Sequence, residues 1–277
     1  MSMSDAISNH YENGGGLLAG IQNGIAQLGK TIETVTIEDL GPVDEFHIGG
    51  RPATDHFVKQ LNFTEAQHVL DVGCGLGGAA RFVASTTGAS VSGIDITEEY
   101  VNTGQTLNQW VGLDDKVSLH HSRAESLPFE DSYFDGAYMI HVGMNIADKA
   151  VTFSEVGRVI EQGGVYGIYD IMAAGQGEFA FPLPWANEAE LSHLASPSEY
   201  KAALQSAGFE VVTVNSRRES AVEFFTKMRA RAASGNGPAP LGLHVLMKES
   251  TPAKVKNMID NLEAGLIEPV EIIAKKL

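Results

Sequence analysis

The sequence is short of basic residues. Its 277 residues contain 19 Lys and Arg against 35 Asp and Glu, which gives a formal net charge of −16 at pH 7. No run of Lys or Arg is longer than two residues. A protein with this charge repels phosphate backbones and anionic lipid surfaces. We therefore expect a small molecule as the partner, and neither nucleic acid nor a membrane.

Cysteine and long apolar runs are also scarce. The single cysteine, Cys74, excludes an internal disulfide, and no Cys/His cluster has metal-binding spacing, so no metal is expected. No apolar run approaches the roughly 18–20 residues that span a bilayer, and the first residues lack the basic-then-apolar pattern of a secretion signal. These absences predict a cytoplasmic protein in a reducing compartment.

Strand-like and helix-like segments alternate from residue 68 onwards. This order predicts βαβ units, a parallel sheet and right-handed crossovers. The expected strands lie at residues 68–72, 89–96, 117–121, 134–140, 164–171, 209–215 and 269–274, the last as a hairpin-type strand that closes the sheet. The predicted fold class is α/β, with a Rossmann-like, seven-stranded, mostly parallel sheet, helices on both faces, and N-terminal and inserted cap segments.

The N-terminal part of the chain has a different texture. Residues 1–62 begin with a polar stretch and continue with an amphipathic helix at 17–28. A loop rich in Gly, Pro and acidic residues follows through Glu45, and a second helix opens after Pro52. These features predict an N-terminal helical cap or lid.

Residues 63–277 form the predicted ligand-binding domain. Inside it, residues 173–196 have little periodicity and contain several aromatic side chains, which is typical of a lid insertion. Beyond the sixth predicted strand we expect a helix at 219–233, a Gly/Pro turn at 234–240 and a further helix.

A glycine-rich turn follows the first predicted strand. Glycines at 73, 75 and 78 let the backbone approach a ligand closely where the next helix begins. Asp95 stands about 20 residues further on, at the end of the second strand, where a carboxylate accepts hydrogen bonds from ribose hydroxyls. Sites for NAD and sites for adenosyl ligands share this spacing.

Asp71 distinguishes a site for NAD from a site for an adenosyl ligand. It lies two residues before the first glycine, where its carboxylate would repel a pyrophosphate at the helix N-terminus. A cationic ligand with an amino group and a sulfonium would not be repelled. The chain also lacks the Tyr-x-x-x-Lys pair of a dehydrogenase on the same fold.

Several motifs in series resemble class I S-adenosylmethionine-dependent methyltransferases. They are LDVGCGLG at 70–77, GIDI at 93–96, AESLPF at 124–129, FD at 134–135, and RVI at 158–160 followed by GG at 163–164. Outside this core, other stretches resemble the sarcosine/dimethylglycine N-methyltransferase branch of small-molecule enzymes. These are DEFHIGGR at 44–51, GGAARF at 77–82, the joint at 198–209, and IIAKK at 272–276.

The resemblance implies a site for S-adenosylmethionine, with S-adenosylhomocysteine as the product. The implied cofactor-binding residues are Asp71, Gly73, Cys74, Gly75, Asp95, Ile96, Ala124, Glu125 and His141. In such enzymes the glycine turn holds the methionine part, Asp95 holds the ribose, Ile96 packs on adenine and the Ala124 backbone bonds to adenine. Arg123, a donor-only side chain, stands where an acidic acceptor for the adenine amino group is common. Glu125 or a carbonyl is then expected to take that role.

Three polar residues are the candidates for catalysis. His141 follows the fourth strand at the ligand edge of the sheet, and we expect it to orient the acceptor or the methionine part, or to act as a general base. In related phosphoethanolamine and glycine-type enzymes this segment carries an acid and, four residues later, a His. Here His141 and Asn145 occupy those positions, which weakens the transfer of an amine substrate. Tyr11 is similar to the N-terminal tyrosines with which related enzymes reach the acceptor.

Three more residues are candidates for the cap and the substrate site. His47 is expected in a cap over the methyl donor, and Trp185 is expected to seal a pocket from the long loop. Arg51 is the candidate partner for a substrate carboxylate, with Arg217 and Arg218 as alternatives.

The predicted function is therefore methyl transfer from S-adenosylmethionine to a small-molecule acceptor, in the first place an amine of the sarcosine/dimethylglycine kind. Methylation of carbon, sulfur or oxygen in a quinone-like or thiol metabolite is the alternative. A protein that binds an adenosyl ligand without turnover is the non-enzymatic alternative, and production of S-adenosylhomocysteine discriminates it. A homodimer is a further hypothesis.

Overall fold

The computed structural model describes residues 10–11, 16–233 and 239–277. The polar start predicted for the chain and the Gly/Pro turn predicted at 234–240 lie largely outside the described residues. Within the described part, no helix combines the length and the apolar composition needed to cross a membrane.

A seven-stranded sheet forms the centre of the molecule. Its strands are β1 (His68–Val72), β2 (Ser90–Asp95), β3 (Val117–His121), β4 (Phe134–Ile140), β5 (Ile160–Ala173), β6 (Phe209–Ser216) and β7 (Ile267–Lys276). Their order across the sheet is β3-β2-β1-β4-β5-β7-β6. The first five strands are mutually parallel, whereas β7 runs antiparallel to both β5 and β6. The predicted fold class, a mostly parallel Rossmann-like sheet, is confirmed.

Helices connect the strands and extend the chain at both ends. They are α1 (Leu17–Gln27), α2 (Ile37–Asp44), α3 (Gly50–Leu61), α4 (Gly78–Thr87), α5 (Glu98–Trp110), α6 (Lys149–Val159), α7 (Pro197–Ser206), α8 (Arg218–Ala233), α9 (His244–Met247) and α10 (Thr251–Glu263). Short 3₁₀ turns occur at Gly143–Asn145, Ala189–Leu191 and Lys248–Ser250.

Both faces of the sheet are buried, as a parallel sheet requires. Alternate residues of β1 belong to different clusters: Leu70 and Val72 pack with Phe153 of α6, whereas Val69 packs with Phe57 of α3. This period of two explains why the strands read as nearly continuous apolar runs. Helices α3 and α4 cover one face, and α6 and α7 cover the other.

One helix was not expected from the sequence. The loop predicted through Glu45 contains α2, because Gly41 and Pro42 concealed a helix that Thr36 and Asp39 start with reciprocal side-chain and backbone hydrogen bonds. Leu40 and Val43 on its inner face are fully buried, and this burial stabilises a segment of weak intrinsic propensity.

Two other boundaries differ from the prediction. Helix α3 begins at Gly50 rather than after Pro52, because a proline in the first turn removes no hydrogen bond. The last strand does not close the sheet: β7 lies between β5 and β6. Its central residues are almost all buried, whereas β6 is mostly exposed and forms the edge.

Two further apolar clusters lie beside the sheet. One joins the loop after β5 to α8 and α10 through Trp185, Phe225 and Met258, with Ile48 and Met144 beneath them. The other joins α1, α2 and α5 to Leu246 of α9. Segments from both ends of the chain therefore cover the same region.

Candidate functional site

A cavity of about 1110 Å³ opens at the carboxyl ends of β1, β2 and β4. We call it the first cavity. Its position follows from the strand order, because the chain leaves β1 towards β2 on one side and reaches β4 on the other, and ligands bind at such switch points. Its lining includes every residue predicted to bind the cofactor: Asp71, Gly73, Cys74, Gly75, Asp95, Ile96, Ala124, Glu125 and His141. Tyr11, Asn145 and His47 line it as well.

The turn after β1 needs glycine at its first position. Gly73 has φ +77°, and a Cβ atom there would lie 2.4 Å from Cγ2 of Val142. The amides of Gly73 and Cys74 both donate to the carbonyl of Ile94, at 2.8 Å. Gly75 also has positive φ, and no atom lies within 4 Å of where its Cβ would be. The backbone therefore borders the cavity directly at Gly75.

The end of β2 holds Asp95 in one orientation. Its Oδ2 accepts a hydrogen bond from the Gly75 amide at 2.9 Å, and its Oδ1 accepts one from the Thr97 amide at 2.8 Å. Burial raises the pKa of Asp95, against the effect of these two amides. The carboxylate is thus fixed in place beside Ile96.

The neighbouring segment after β3 completes that side of the cavity. Ala124 and Glu125 line it, whereas Arg123 does not and donates to Oε1 of Glu125 at 3.3 Å. The departure seen in the sequence is therefore a local Arg–Glu pair at the rim.

Asp71 is buried at the end of β1. Burial raises its pKa to about 8, and the charge of Asp95 acts in the same direction, whereas the Tyr138 hydroxyl opposes the shift. Its Oδ2 has no well-directed hydrogen bond among the described residues. A buried carboxyl in this state favours a ligand that brings it a positive charge or a donor.

The charge of the first cavity is one-sided. Among the described residues its lining contains five acidic side chains and neither Lys nor Arg: Asp44, Glu45, Asp71, Asp95 and Glu125. Three of these carboxyls pair with arginines outside the cavity lining: Asp44 with Arg81 at 2.8 Å, Glu45 with Arg51 at 2.5 Å and Glu125 with Arg123 at 3.3 Å. Asp71 and Asp95 form no ion pair within the described part of the chain. These residues fit a cationic ligand and offer no cation to a pyrophosphate.

His141 stands at the opposite wall, directly after β4. Its backbone has φ +54°, and its amide donates to the Tyr169 carbonyl at 2.7 Å. Its ring Nδ1 accepts a hydrogen bond from the Ile48 amide at 3.4 Å. Burial and the nearby His47 lower the pKa of His141 well below its usual range. The ring is therefore neutral with its proton on Nε2, which has no partner among the described residues.

His47 belongs to a network of side chains centred on the buried Glu45. Its Nε2 donates to Oε2 of Glu45 at 2.6 Å, and the Thr54 hydroxyl donates to the same oxygen at 2.5 Å. Burial alone would raise the pKa of Glu45, but the hydrogen bond and charge of His47, together with Arg51, lower it to about 2. The His47 ring centre is 5.6 Å from that of His141.

Tyr11 and Asn145 are distant in the sequence, but their side chains form a hydrogen bond. The Tyr11 hydroxyl donates to Oδ1 of Asn145 at 3.1 Å, and the Asn145 amide nitrogen donates to the Val142 carbonyl at 3.2 Å. Burial raises the pKa of Tyr11, so its hydroxyl stays protonated at neutral pH. The three predicted catalytic residues thus border one cavity.

Two predicted substrate residues lie outside the first cavity. Arg51 is held by Glu45, and its guanidinium carbon lies 4.7 Å from the Phe82 ring centre. Trp185 lines a second cavity of about 620 Å³, described below, and donates its indole N–H to the Ser192 hydroxyl at 2.9 Å.

Several lining residues were not expected from the sequence, among them Glu45, Phe46, Thr97 and Tyr100. Glu45 and Phe46 belong to the DEFHIGGR stretch, and an acidic residue two positions before a histidine was the signal for their network. Tyr100 packs edge-on against Tyr11, with ring centres 6.0 Å apart, and only the folded chain shows this contact.

Part of the chain matches a known protein family. Residues 70–168 match the family described as a methyltransferase domain. Dimethylglycine N-methyltransferase from Parasynechococcus marenigrum is 30% identical over 161 residues, which is 58% of this chain and 58% of that protein. Sterol 24-C-methyltransferase ERG6B from Gibberella zeae is 37% identical over 117 residues, which is 42% of this chain and 31% of that protein.

A solved structure has the same fold. Geranyl diphosphate C-methyltransferase from Streptomyces coelicolor A3(2) superposes with a TM-score of 0.66 at 18% identity, and the match covers 82% of this chain and 76% of that one. The two curated relatives are matched over 58% or less of their own lengths. The methyltransferase-domain match at residues 70–168 includes the carboxyl ends of β1, β2 and β4, which border the first cavity. Residues 70–168 thus match a methyltransferase domain, and the chain is similar in sequence to an N-methyltransferase and to a C-methyltransferase.

Proposed function

We propose that the protein transfers a methyl group from S-adenosylmethionine to a small-molecule acceptor. The observation that carries this proposal is that two carboxyls, the buried Asp71 and the half-buried Asp95, face one cavity without an ion pair in the described part of the chain. S-adenosylmethionine brings an ammonium and a sulfonium to such a site. NAD brings a pyrophosphate, for which the described lining of the cavity offers no Lys or Arg.

The residues fit the parts of the cofactor in order along the cavity. Asp71 receives the amino group, and the backbone at Gly73, Cys74 and Gly75 borders the methionine part. Asp95, held by two amides, accepts from the ribose hydroxyls. At the far end the adenine packs on Ile96, with Ala124 and Glu125 at its edge.

The described side chains at the reacting end of the site act mainly as hydrogen-bond donors. When bound, S-adenosylmethionine supplies a methyl group already activated by the sulfonium. His141 donates from Nε2, Tyr11 and Asn145 hold each other in place, and the buried Glu45–His47 pair closes the cap side. These groups orient an acceptor and exclude water, so the acceptor must bring its own lone pair or electron-rich carbon.

Which atom of the acceptor receives the methyl group remains a prediction. The dimethylglycine N-methyltransferase relative supports an amine, and the sterol C-methyltransferase relative supports carbon. We further propose that residues 1–62 and 173–196 act as the cap, since His47 and Trp185 from these segments border the two cavities.

Calorimetry with the full chain tests the cofactor. S-adenosylmethionine and S-adenosylhomocysteine should bind, and NAD should not. Asp95→Ala should weaken cofactor binding about ten- to hundredfold, the value of a hydrogen bond to a charged group. Asp115→Ala, at an exposed site, is the matched control. Tight NAD binding without a response to S-adenosylhomocysteine contradicts the proposal.

Turnover is tested separately, by S-adenosylhomocysteine formation with amine, phenol, thiol and enol acceptors. Formation with any of them supports the enzyme. Cofactor binding without turnover on all of them supports the adenosyl-binding alternative.

A further inference from the structure

A second cavity of about 620 Å³ adjoins the first. Four residues line both cavities: Tyr11, Phe46, His47 and His141. The unpartnered Nε2 of His141 and the Tyr11–Asn145 contact therefore lie where the two cavities meet. A molecule in the second cavity would therefore contact residues at the reacting end of the first.

The second cavity is lined mainly by apolar side chains. Among the described residues its lining contains no Asp, Glu, Lys or Arg. Four of the eight methionines of the chain line it, Met144, Met228, Met247 and Met258. Phe224 and Phe225 of α8 add aromatic surface. Methionine side chains adapt to the shape of an apolar ligand, so this wall fits molecules of more than one shape.

Apart from Trp185, the polar side chains of the described lining are Tyr11, His47 and His141, which also line the first cavity. Trp185 is 2% exposed and already donates its N–H to Ser192, so it offers the second cavity only apolar ring surface. A mainly apolar lining with a few polar groups at one end is typical of a site for a small organic ligand.

We propose that the methyl acceptor is a largely apolar molecule whose uncharged body fills the second cavity and whose reacting atom lies beside His141 and Tyr11. This inference rests on the proposed function and names its substrate class. A small zwitterion of the sarcosine kind does not match, because its carboxylate would need a cation. Arg51, the candidate for that role, is bound to Glu45 and lines neither cavity.

The neutral fluorophore N-phenyl-1-naphthylamine probes the cavity without turnover. The full chain, saturated with S-adenosylhomocysteine, should bind it saturably with a stoichiometry of one. Met228→Trp, which fills the cavity from α8, should weaken this binding at least tenfold. Val222→Trp introduces the same side chain on the exposed face of α8, where Val222 is 43% exposed, and should change binding less than twofold.

Val255→Trp repeats the test from α10 if Met228→Trp does not fold, as judged by circular dichroism. Absence of saturable binding to the native chain overturns the inference, and so does equal binding by the native and filled chains. Calorimetry with S-adenosylhomocysteine on the same samples keeps the two proposals apart. If the cofactor product binds and the fluorophore does not, only the acceptor class is wrong.

A homologous series gives the second readout. Dimethylglycine is compared with N,N-dimethylalkylamines and 4-alkylphenols of increasing chain length in the S-adenosylhomocysteine assay. If the alkyl chain enters the second cavity, kcat/KM should rise about fourfold per added CH₂, the value of burying one methylene. Turnover of dimethylglycine that exceeds that of every longer acceptor overturns the inference.

Discussion

Asp71 is the residue whose state depends most on its surroundings. It is 2% exposed, forms no ion pair in the described part of the chain and shares the first cavity with Asp95. Its pKa of about 8 means that the carboxyl is neutral in the empty site at neutral pH. An ammonium beside it would favour the carboxylate, so binding of the cofactor is coupled to loss of a proton.

Cofactor affinity should therefore increase with pH up to about pH 8 in the native chain, by as much as tenfold per unit. Asp71→Asn should bind more weakly and lose this part of the pH dependence, leaving only that of the amino group of the ligand. Calorimetry between pH 6 and 9 measures both, with Asp115→Asn as control. A pH profile that the Asp71→Asn substitution leaves unchanged contradicts the assignment.

The free energy of unfolding of the ligand-free protein should depend on pH in the opposite direction, because of the same residue. The pKa of Asp71 is raised from its ordinary value of 3.8 to about 8 in the folded chain, so the folded state keeps a proton that the unfolded chain has lost. Its contribution to the free energy of unfolding therefore declines as the pH rises from about 4 to 8. Asp71→Asn should stabilise the empty protein more at pH 8 than at pH 5 in urea unfolding.

His141 is expected to act as a donor rather than as a base. Because burial and His47 keep its ring neutral, kcat at saturating cofactor should show no inflection from this residue near pH 6.5. His141→Ala should lower kcat about tenfold, the value of a hydrogen bond worth about 1.5 kcal/mol, and leave cofactor affinity within a few-fold.

His141→Asn is the matched variant, because asparagine tolerates the left-handed backbone at φ +54° and supplies an N–H donor. It should recover part of the lost kcat. An unchanged kcat in His141→Ala would remove the residue from the reacting end of the site.

At the scale of elements, a buried ion pair joins helix α2 in the N-terminal part of the chain to helix α4 beside the sheet. Arg81 of α4 forms an ion pair with Asp44 at the end of α2, with 2.8 Å between the charged groups, and both side chains are fully buried. Arg81 also donates to Asn108 and to the Leu76 carbonyl, so the guanidinium ties α2, α4 and α5 together. Burial raises the pKa of Asp44 even with Arg81 in place.

Arg81→Met should destabilise the chain by about 3–5 kcal/mol, because it leaves a buried carboxyl without its cation. Arg229→Met removes an arginine of an exposed pair with Glu263 and should cost about 0–1 kcal/mol. Urea unfolding measures both, and the double variant with Asp44→Asn should recover part of the loss. Equal effects of the two arginine substitutions would contradict a structural role for the buried pair.

At the scale of the whole molecule, the net charge of −16 attracts cations to the site. S-adenosylmethionine carries one positive charge more than S-adenosylhomocysteine, and salt screens the attraction as the Debye length falls from about 30 Å at 0.01 M to about 8 Å at 0.15 M. Raising the salt over this range should weaken binding of S-adenosylmethionine about two- to fivefold more than binding of S-adenosylhomocysteine. Equal salt dependence of the two ligands in calorimetry would show that the overall field is unimportant.

Local sequence patterns were sufficient to predict the strands of the sheet and the side of the first cavity that contains the glycine turn and Asp95. Strand periodicity, the glycine turn at Gly73 and the spacing to Asp95 are local signals, because neighbouring residues produce them. Residues that follow the carboxyl ends of adjacent parallel strands meet in space once the strands pair, so their clustering was predictable. Helix α2 escaped prediction because its local signals conflicted: Gly41 and Pro42 against the reciprocal cap of Thr36 and Asp39.

The acceptor side could not be predicted in this way, because it depends on how distant segments pack. The second cavity takes its walls from positions as far apart as Phe46, Met144, Trp185 and Met258, and no sequence pattern links them. The proton position on His141 depends on an amide 93 residues away, at Ile48. Burial sets the pKa of Asp71, and burial is a property of how separate segments pack together rather than of any one segment.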